Sequence, residues 1–171
     1  MNYINKGKRD ILIIPKCKNI EKIQLIREKY DELSHLVPPH ITLAFPFEND
    51  ITNEELKLEL VKIFKNYKPF NIKCKGISLH EDTRVNTNYI FLDLIDGKEV
   101  IKQIHDLIYE KILYEEPAIK YNYIPHITLG TTNNKEENIE LQEEFDMTID
   151  SVIVESIGEN EESIIEFEIK L

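Results

Sequence analysis

Short β-branched runs along this chain alternate with segments whose apolar residues recur every three or four positions, a pattern that predicts a mixed α and β fold. The run "DILIIP" at residues 10–15 reads as a buried strand closed by its proline. Residues 19–36 then place Ile20, Ile23, Ile26 and Tyr30 at helical spacing behind Asn19 as N-cap. Pro38 and Pro39 end that helix, because neither a proline nor the residue before one continues it. "HITLAFPF" at 40–47 is strand-like. A helix over 52–67 follows, opened by Thr52 with Glu55 three residues on, the signature of a capping box. Strands are predicted at 70–80 and 89–95 around the turn "EDTRVNTN", then a helix after Gly97 that carries Val100, Ile101, Ile104, Leu107, Ile108 and Ile112 on one stripe. Beyond a second "HITL" at 126–129, the polar stretch 132–145 is predicted as a shorter helix, and 147–158 and 163–171 as a closing pair of strands.

The order of elements repeats. "PPHITLAF" at 38–45 is echoed by "IPHITLGT" at 124–131, and each half reads strand, helix, Pro-His-Ile-Thr-Leu strand, helix, strand, strand. The expectation is a single domain over 1–171 with an internal duplication, its two lobes related by a pseudo-two-fold axis that brings both motifs to a shared cleft. On a regular strand His40, Thr42 and Ala44 share one face, and His126, Thr128 and Gly130 share the corresponding one. Ile41, Leu43, Phe45 and Phe47 then face the core, as do Ile127 and Leu129. Core residues repeat because both lobes need a core. The repeated imidazole, hydroxyl and small residue lie on the other face and have no packing reason to persist, and Ala44 and Gly130 leave room for a ligand.

Composition narrows the ligand. With 171 residues, 42% apolar and 31% charged, the chain is an ordinary globular sequence, long enough for one substantial domain. Its formal net charge of -11 is unevenly spread: residues 1–80 hold 14 Lys and Arg against 10 Asp and Glu, and residues 81–171 hold 7 against 22. An acidic chain repels the backbone of a long nucleic acid unless its positive charge is concentrated, so a small or terminal phosphate is expected rather than a long duplex. Lys6, Lys8, Arg9, Lys16 and Lys18 around the first strand read as a solvated surface. Cys17 and Cys74 are at no metal-binding spacing and are expected as free thiols in a reducing compartment. With no apolar run at its start long enough for a signal peptide, the protein is expected in the cytoplasm, away from membranes and as a monomer.

Two imidazoles on opposite walls of a cleft suit phosphoryl displacement. That reaction wants a base on one side of phosphorus and an acid on the other, in line. With an ordinary pKa near 6.5, one histidine can accept a proton while the other donates one. The hydroxyls of Thr42 and Thr128 can hold the non-bridging oxygens. A transition-metal site is the competing chemistry, but neither motif supplies a neighbouring Asp, Glu or Cys on its His face, and zinc would need a third ligand from elsewhere. His35, His80 and His105 read as surface or packing residues. Arg84, in the loop "HEDTRVNTN", is a candidate for a bidentate phosphate contact, and Tyr121 and Tyr123, alternating in "YNYIPHITL", for stacking on a base or ribose.

The two complete motifs, "HITL" at 40–43 and at 126–129, with their spacing and the repeated element order, resemble the 2H phosphoesterases, a family that includes the 2'-5' RNA ligase-like proteins. The resemblance covers nearly the whole chain. It implies a bilobal α+β fold: two pseudo-symmetric lobes of mainly antiparallel sheet with outer helices around a central cleft. It further implies an acid and base pair in His40 and His126, phosphate contacts from Thr42 and Thr128, and catalysis with no metal and no cofactor. The implied ligand is a small nucleotide or RNA end bearing a 2',3'-cyclic phosphate or a 2'-5' linkage. Hydrolysis is the expected direction. Ligation as the main direction, or a non-catalytic module that binds nucleotide or RNA ends, are the alternatives.

Overall fold

The computed structural model describes residues 7–116 and 122–171. Nine strands and three helices are present among them: β1 (Arg9–Ile13), β2 (Lys16–Cys17), α1 (Ile20–Tyr30), β3 (Ile41–Phe47), α2 (Asn53–Phe64), β4 (Phe70–Asp82), β5 (Thr87–Asp96), α3 (Lys98–Lys111), β6 (His126–Thr132), β7 (Phe145–Ile149), β8 (Ser151–Ile157) and β9 (Ser163–Lys170). They form two antiparallel sheets, ordered β3-β1-β8-β9 and β2-β7-β4-β5-β6. The motif strands β3 and β6 each lie at the edge of their own sheet, and they run alongside one another with Cα atoms within 8 Å. The expected α+β architecture is therefore present, with the two motifs at the seam between its sheets.

Strand pairing crosses between the two halves of the sequence. β4, which follows the first motif, pairs with β5 in the second motif's sheet, and β8 pairs with β1 in the first. Helix packing crosses in the same way: α1 packs on β6, while α3 packs on β3. Each motif strand is thus backed by the helix from the other half of the chain.

Local chemistry explains where elements end. The capping box at α2 is formed as predicted, with Thr52 Oγ1 accepting from Glu55 N–H and Glu55 Oε2 accepting from Thr52 N–H. Leu56, Leu60 and Phe64 are the buried stripe of that helix, each worth about 1.5–3 kcal/mol in apolar burial. The helix expected over 19–36 stops at Tyr30. Asp31 adopts an extended conformation and its carboxylate accepts from Leu33 N–H, a local bond that competes with the next helical turn.

Two expectations are corrected. Residues 132–145 form no helix. Asn134 Oδ1 accepts from Glu136 N–H in a local turn, and the apolar residues that follow, Ile139 and Leu141, are two apart, the spacing of extended chain. Residues 147–158 are not one strand either. The chain breaks at Asp150, so that β7 belongs to the second sheet and β8 to the first. The alternating burial of β7 gives way to continuous burial over Ser151–Glu155, as expected of a strand covered on both faces.

A carboxyl pair is buried between β1 and β8. Asp10 and Glu155 are direct cross-strand partners, 8% and 4% exposed. Burial first, and the facing Glu155 second, push the Asp10 carboxyl up to about 8, so it stays protonated at neutral pH and bonds to Glu155. Ser163 Oγ donates to the other side of Glu155, and Asp10 Oδ1 has no partner among the described residues.

This packing makes two predictions about stability. Gly130 sits at φ +134°, and a Cβ there would lie 2.1 Å from the Tyr30 carbonyl oxygen, whereas a Cβ on Gly76 at φ +84° meets nothing within 4 Å. In urea unfolding, Gly130→Ala is expected to cost more than about 3 kcal/mol and Gly76→Ala about 1. Equal costs would contradict the packing of α1 on β6. Because the folded Asp10 pKa is raised, its contribution to stability is complete below the ordinary 3.8 and is lost as pH rises through about 8. Melting temperatures between pH 5 and pH 9 should fall with pH in the wild type and fall less in Asp10→Asn.

Candidate active site

The two motifs hold their histidines in the same way. His40 Nδ1–H donates to the Pro38 carbonyl at 2.8 Å, and His126 Nδ1–H donates to the Ile124 carbonyl at 2.6 Å. A carbonyl only accepts, so each ring carries its proton on Nδ1 and, when neutral, presents a bare Nε2. In both cases the acceptor is the carbonyl of an X–Pro bond, because Pro39 and Pro125 precede the histidines. The proline holds its predecessor extended and fixes its own φ, which sets the direction of that carbonyl. The repeated proline therefore belongs to the site.

The leucine of each "HITL" marks a β-bulge. In β3, Thr42 lies opposite Leu12 and Ala44 opposite the next residue in register, Ile11; in β6, Thr128 lies opposite Phe91 and Gly130 opposite Ile90. Leu43 and Leu129 are the extra residues, and beyond each the faces exchange. This corrects the expected three-residue face. Ala44 and Gly130 turn inward and are buried, Ala44 in the core and Gly130 beneath the end of α1. Their small size serves close packing. Phe45 turns outward instead, 38% exposed, where strict alternation placed it in the core.

The surroundings of the two imidazoles differ. His126 stacks on Phe91 with ring centroids 3.4 Å apart, and Phe91 also stacks on His80 at 4.4 Å. Asp93 is the cross-strand partner of His126 and accepts from Ser78 Oγ at 2.7 Å; the same Ser78 Oγ lies 2.9 Å from His80 Nε2. Thr128 Oγ1 is 3.2 Å from His126 Nε2, so the bare nitrogen accepts from this hydroxyl. Burial, reinforced by nearby His80 and His40, holds the His126 pKa down to about 4 against the pull of the Ile124 carbonyl and Asp93. His40 is also lowered, by burial first and by Arg27, while the Pro38 carbonyl and Asp31 act against this.

Arg27 supports the loop that delivers His40. It is 1% exposed, binds the Asp31 carboxylate through Nε and Nη2 at 2.9 and 2.7 Å, and donates from Nη1 to the Val37 carbonyl at 2.9 Å, next to Pro38. Sequence periodicity gives no hint of this arginine. Nor does it identify Phe91, Asp93 or His80 as neighbours of His126, because that requires the register of β4, β5 and β6.

The other candidates fall elsewhere. Arg84 lies in the β4–β5 hairpin with its side chain 77% exposed and its guanidinium paired to Asp82 at 2.7 Å. Tyr123 is 8% exposed and its hydroxyl donates to the Thr42 carbonyl at 2.7 Å, so it faces the β3 backbone rather than the cleft mouth. Tyr121 and Lys6 lie outside the described residues. His105 is buried and bonds to the Leu43 carbonyl, while His35 is exposed. Cys17 and Cys74 are free thiols. Among the described residues no three His, Cys, Asp or Glu are grouped to hold a metal ion, and no helix is long and apolar enough to cross a membrane.

The family model of the 2'-5' RNA ligase superfamily matches residues 14–160, a span that contains both motifs. The chain belongs to this superfamily. A Geobacillus thermodenitrificans protein named "Putative phosphoesterase" is 33% identical over 105 residues, 61% of this chain and 57% of its own length. A like-named Oceanobacillus iheyensis protein is 33% identical over 127 residues, 72% of this chain and 69% of its own. Among solved structures, TT0787 of Thermus thermophilus superposes with a TM-score of 0.67 at 14% identity, covering 96% of this chain and 97% of that one. E. coli LigT complexed with NADP+ gives 0.66 at 13%, covering 96% and 98%. At such identities these structures speak for the fold.

The buried Arg27 pair carries a prediction. Replacing Arg27 with methionine leaves the Asp31 carboxylate and the Val37 carbonyl without their partner, and the loss in a chemical denaturation curve should be about 3–5 kcal/mol. A loss below about 1 kcal/mol would mean that the loop is held by other contacts.

Proposed function

We propose that the protein is a metal-independent phosphoesterase that hydrolyses a 2',3'-cyclic phosphate or a 2'-5' phosphodiester of a nucleotide or RNA end, with His40 and His126 as its general acid and base pair. The observation that carries this reading is the matched pair of imidazoles on adjoining edge strands, each with Nδ1 tied to a carbonyl and Nε2 left to exchange a proton. Thr42 and Thr128, two residues on from each histidine, supply hydroxyls for the non-bridging oxygens. Superfamily membership and the names of the relatives support the reaction class. E. coli LigT complexed with 3'-AMP supports a nucleotide as the kind of ligand this fold accepts. Phe45, turned outward by the bulge, offers a face on which a base can stack.

Burial prepares both imidazoles for proton transfer. His126 is held neutral down to about pH 4 and His40 is lowered as well, and a neutral imidazole with a bare Nε2 is ready to take a proton from the attacking water. The partner imidazole gives its proton to the leaving oxygen. A bound phosphodiester anion raises both pKa values, which favours the one shared proton this chemistry needs.

The direct test is turnover of nucleoside 2',3'-cyclic monophosphates and 2'-5' linked dinucleotides with and without chelator. Turnover should survive chelation and fall at least about 100-fold in His40→Ala and in His126→Ala. Saturable binding without product would make the protein a binding module, and loss of turnover with chelator would make it a metal enzyme. The pH profile is a second prediction. In kcat/KM the two limbs report the two free imidazoles, His126 near pH 4 and His40 with a pKa also below the ordinary 6.5. The optimum should therefore lie on the acid side of 6.5. An optimum above pH 7 would contradict the lowered pKa values of the pair.

A further inference from the structure

The bulge in β3 disturbs its ladder and leaves backbone groups on the strand's outer edge for other partners. Three side chains meet them. Tyr123 Oη–H donates to the Thr42 carbonyl at 2.7 Å, His105 Nδ1–H donates to the Leu43 carbonyl at 2.7 Å, and Tyr109 Oη accepts from Phe45 N–H at 3.1 Å. These bonds cover the stretch from Thr42 to Phe45, the two residues on either side of the bulge that face the cleft.

The three side chains form one rigid unit. The His105 and Tyr123 rings stack at 3.7 Å with an interplanar angle of 3°, and His105 and Tyr109 lie 4.6 Å apart. All are buried, at 4%, 1% and 8% exposure for His105, Tyr109 and Tyr123. Burial keeps His105 neutral with its proton on Nδ1, the form the Leu43 carbonyl requires. His105 and Tyr109 come from α3, which packs across β3. Tyr123 comes from the segment that leads into the second motif.

That segment has a double attachment. Tyr123 holds the carbonyl of Thr42 in the first motif, and the next residue, Ile124, offers the carbonyl that holds His126 in the second. Four consecutive residues, 123–126, therefore touch both halves of the site.

We propose that Tyr123 is a positioning residue: with His105 and Tyr109 it fixes the bulged segment of β3, and through residues 123–126 it sets the spacing between Thr42 and His126 on which the chemistry depends. The inference rests on the phosphoesterase reading for its kinetic consequence and on the geometry alone for its structural one. Thr42 makes its contact as charge develops on phosphate oxygen, so misplacing it lowers kcat more than it raises KM.

Tyr123→Phe removes one oxygen and keeps the stacked ring. With 2',3'-cyclic AMP as substrate, kcat should fall about 10- to 100-fold with KM changed less than about 3-fold. The loss should vanish against Thr42→Ala, so that the double variant matches Thr42→Ala within about twofold. Multiplying losses, or an unchanged kcat in the single variant, would overturn the proposal. A ligand-free readout separates it from the functional reading. The 13C-labelled γ2 methyl of Thr42 should shift or broaden in Tyr123→Phe and stay unchanged in Tyr114→Phe, which alters an exposed tyrosine. If wild type turns over none of the substrates, the phosphoesterase reading falls while a changed methyl signal still upholds the positioning role. An unchanged methyl signal overturns that role whatever the activity.

Discussion

An edge strand has neighbours on one side only, and at a bulge part of its hydrogen bonding must be met by something other than a strand. Both motif strands are under this constraint. Each ends its His-x-Thr face with a leucine bulge, and beyond it the chain turns a small residue inward and a larger one outward. At β6 the inward residue is Gly130, onto which the last turn of α1 packs so closely that no side chain fits. At β3 it is Ala44, and the neighbouring backbone is met by His105, Tyr109 and Tyr123. Helix placement, small residues and the exposure of Phe45 all follow from closing these two bulges.

The crossed packing gives that constraint a consequence for chemistry. Because α1 backs the second motif and α3 the first, neither histidine is held by its own half of the sequence alone. The loop from α1 to β3 passes Arg27, which anchors Val37, before it presents the Pro38 carbonyl to His40. On the other side, Phe91 stacks between the neighbourhoods of His80 and His126, so the His126 ring is buried against aromatic carbon. Two similar motifs are thereby both held below the ordinary imidazole pKa, in different surroundings.

Much of this is legible in the residues. The capping box, the α3 stripe, the paired motifs and the α+β class follow from periodicity and local bonding, which act over a few residues. The errors share a cause. Strict alternation places Ala44 and Gly130 on the His face and Phe45 in the core, because a one-residue insertion in a strand has no signature of its own in the pattern. Composition reads the acidic stretch 132–145 as a helix, although Ile139 and Leu141 already have the spacing of extended chain. Tyr123 reads as a stacking residue because its strand-like surroundings give no sign that its hydroxyl reaches the Thr42 carbonyl.

Local sequence supplied the candidate groups of the site: two histidines, two threonines, and the two prolines whose backbone geometry aims a carbonyl at each ring. These are short-range relations, complete within three or four residues. Tertiary packing decided that the two motifs share a seam, that burial lowers both histidines, and that Phe45 faces out. It also decided that Arg27, Phe91, His105 and Tyr123 serve the site. Each of these depends on which strands pair, in which register and under which helix, and that is fixed by burying one common core rather than by any local run of residues.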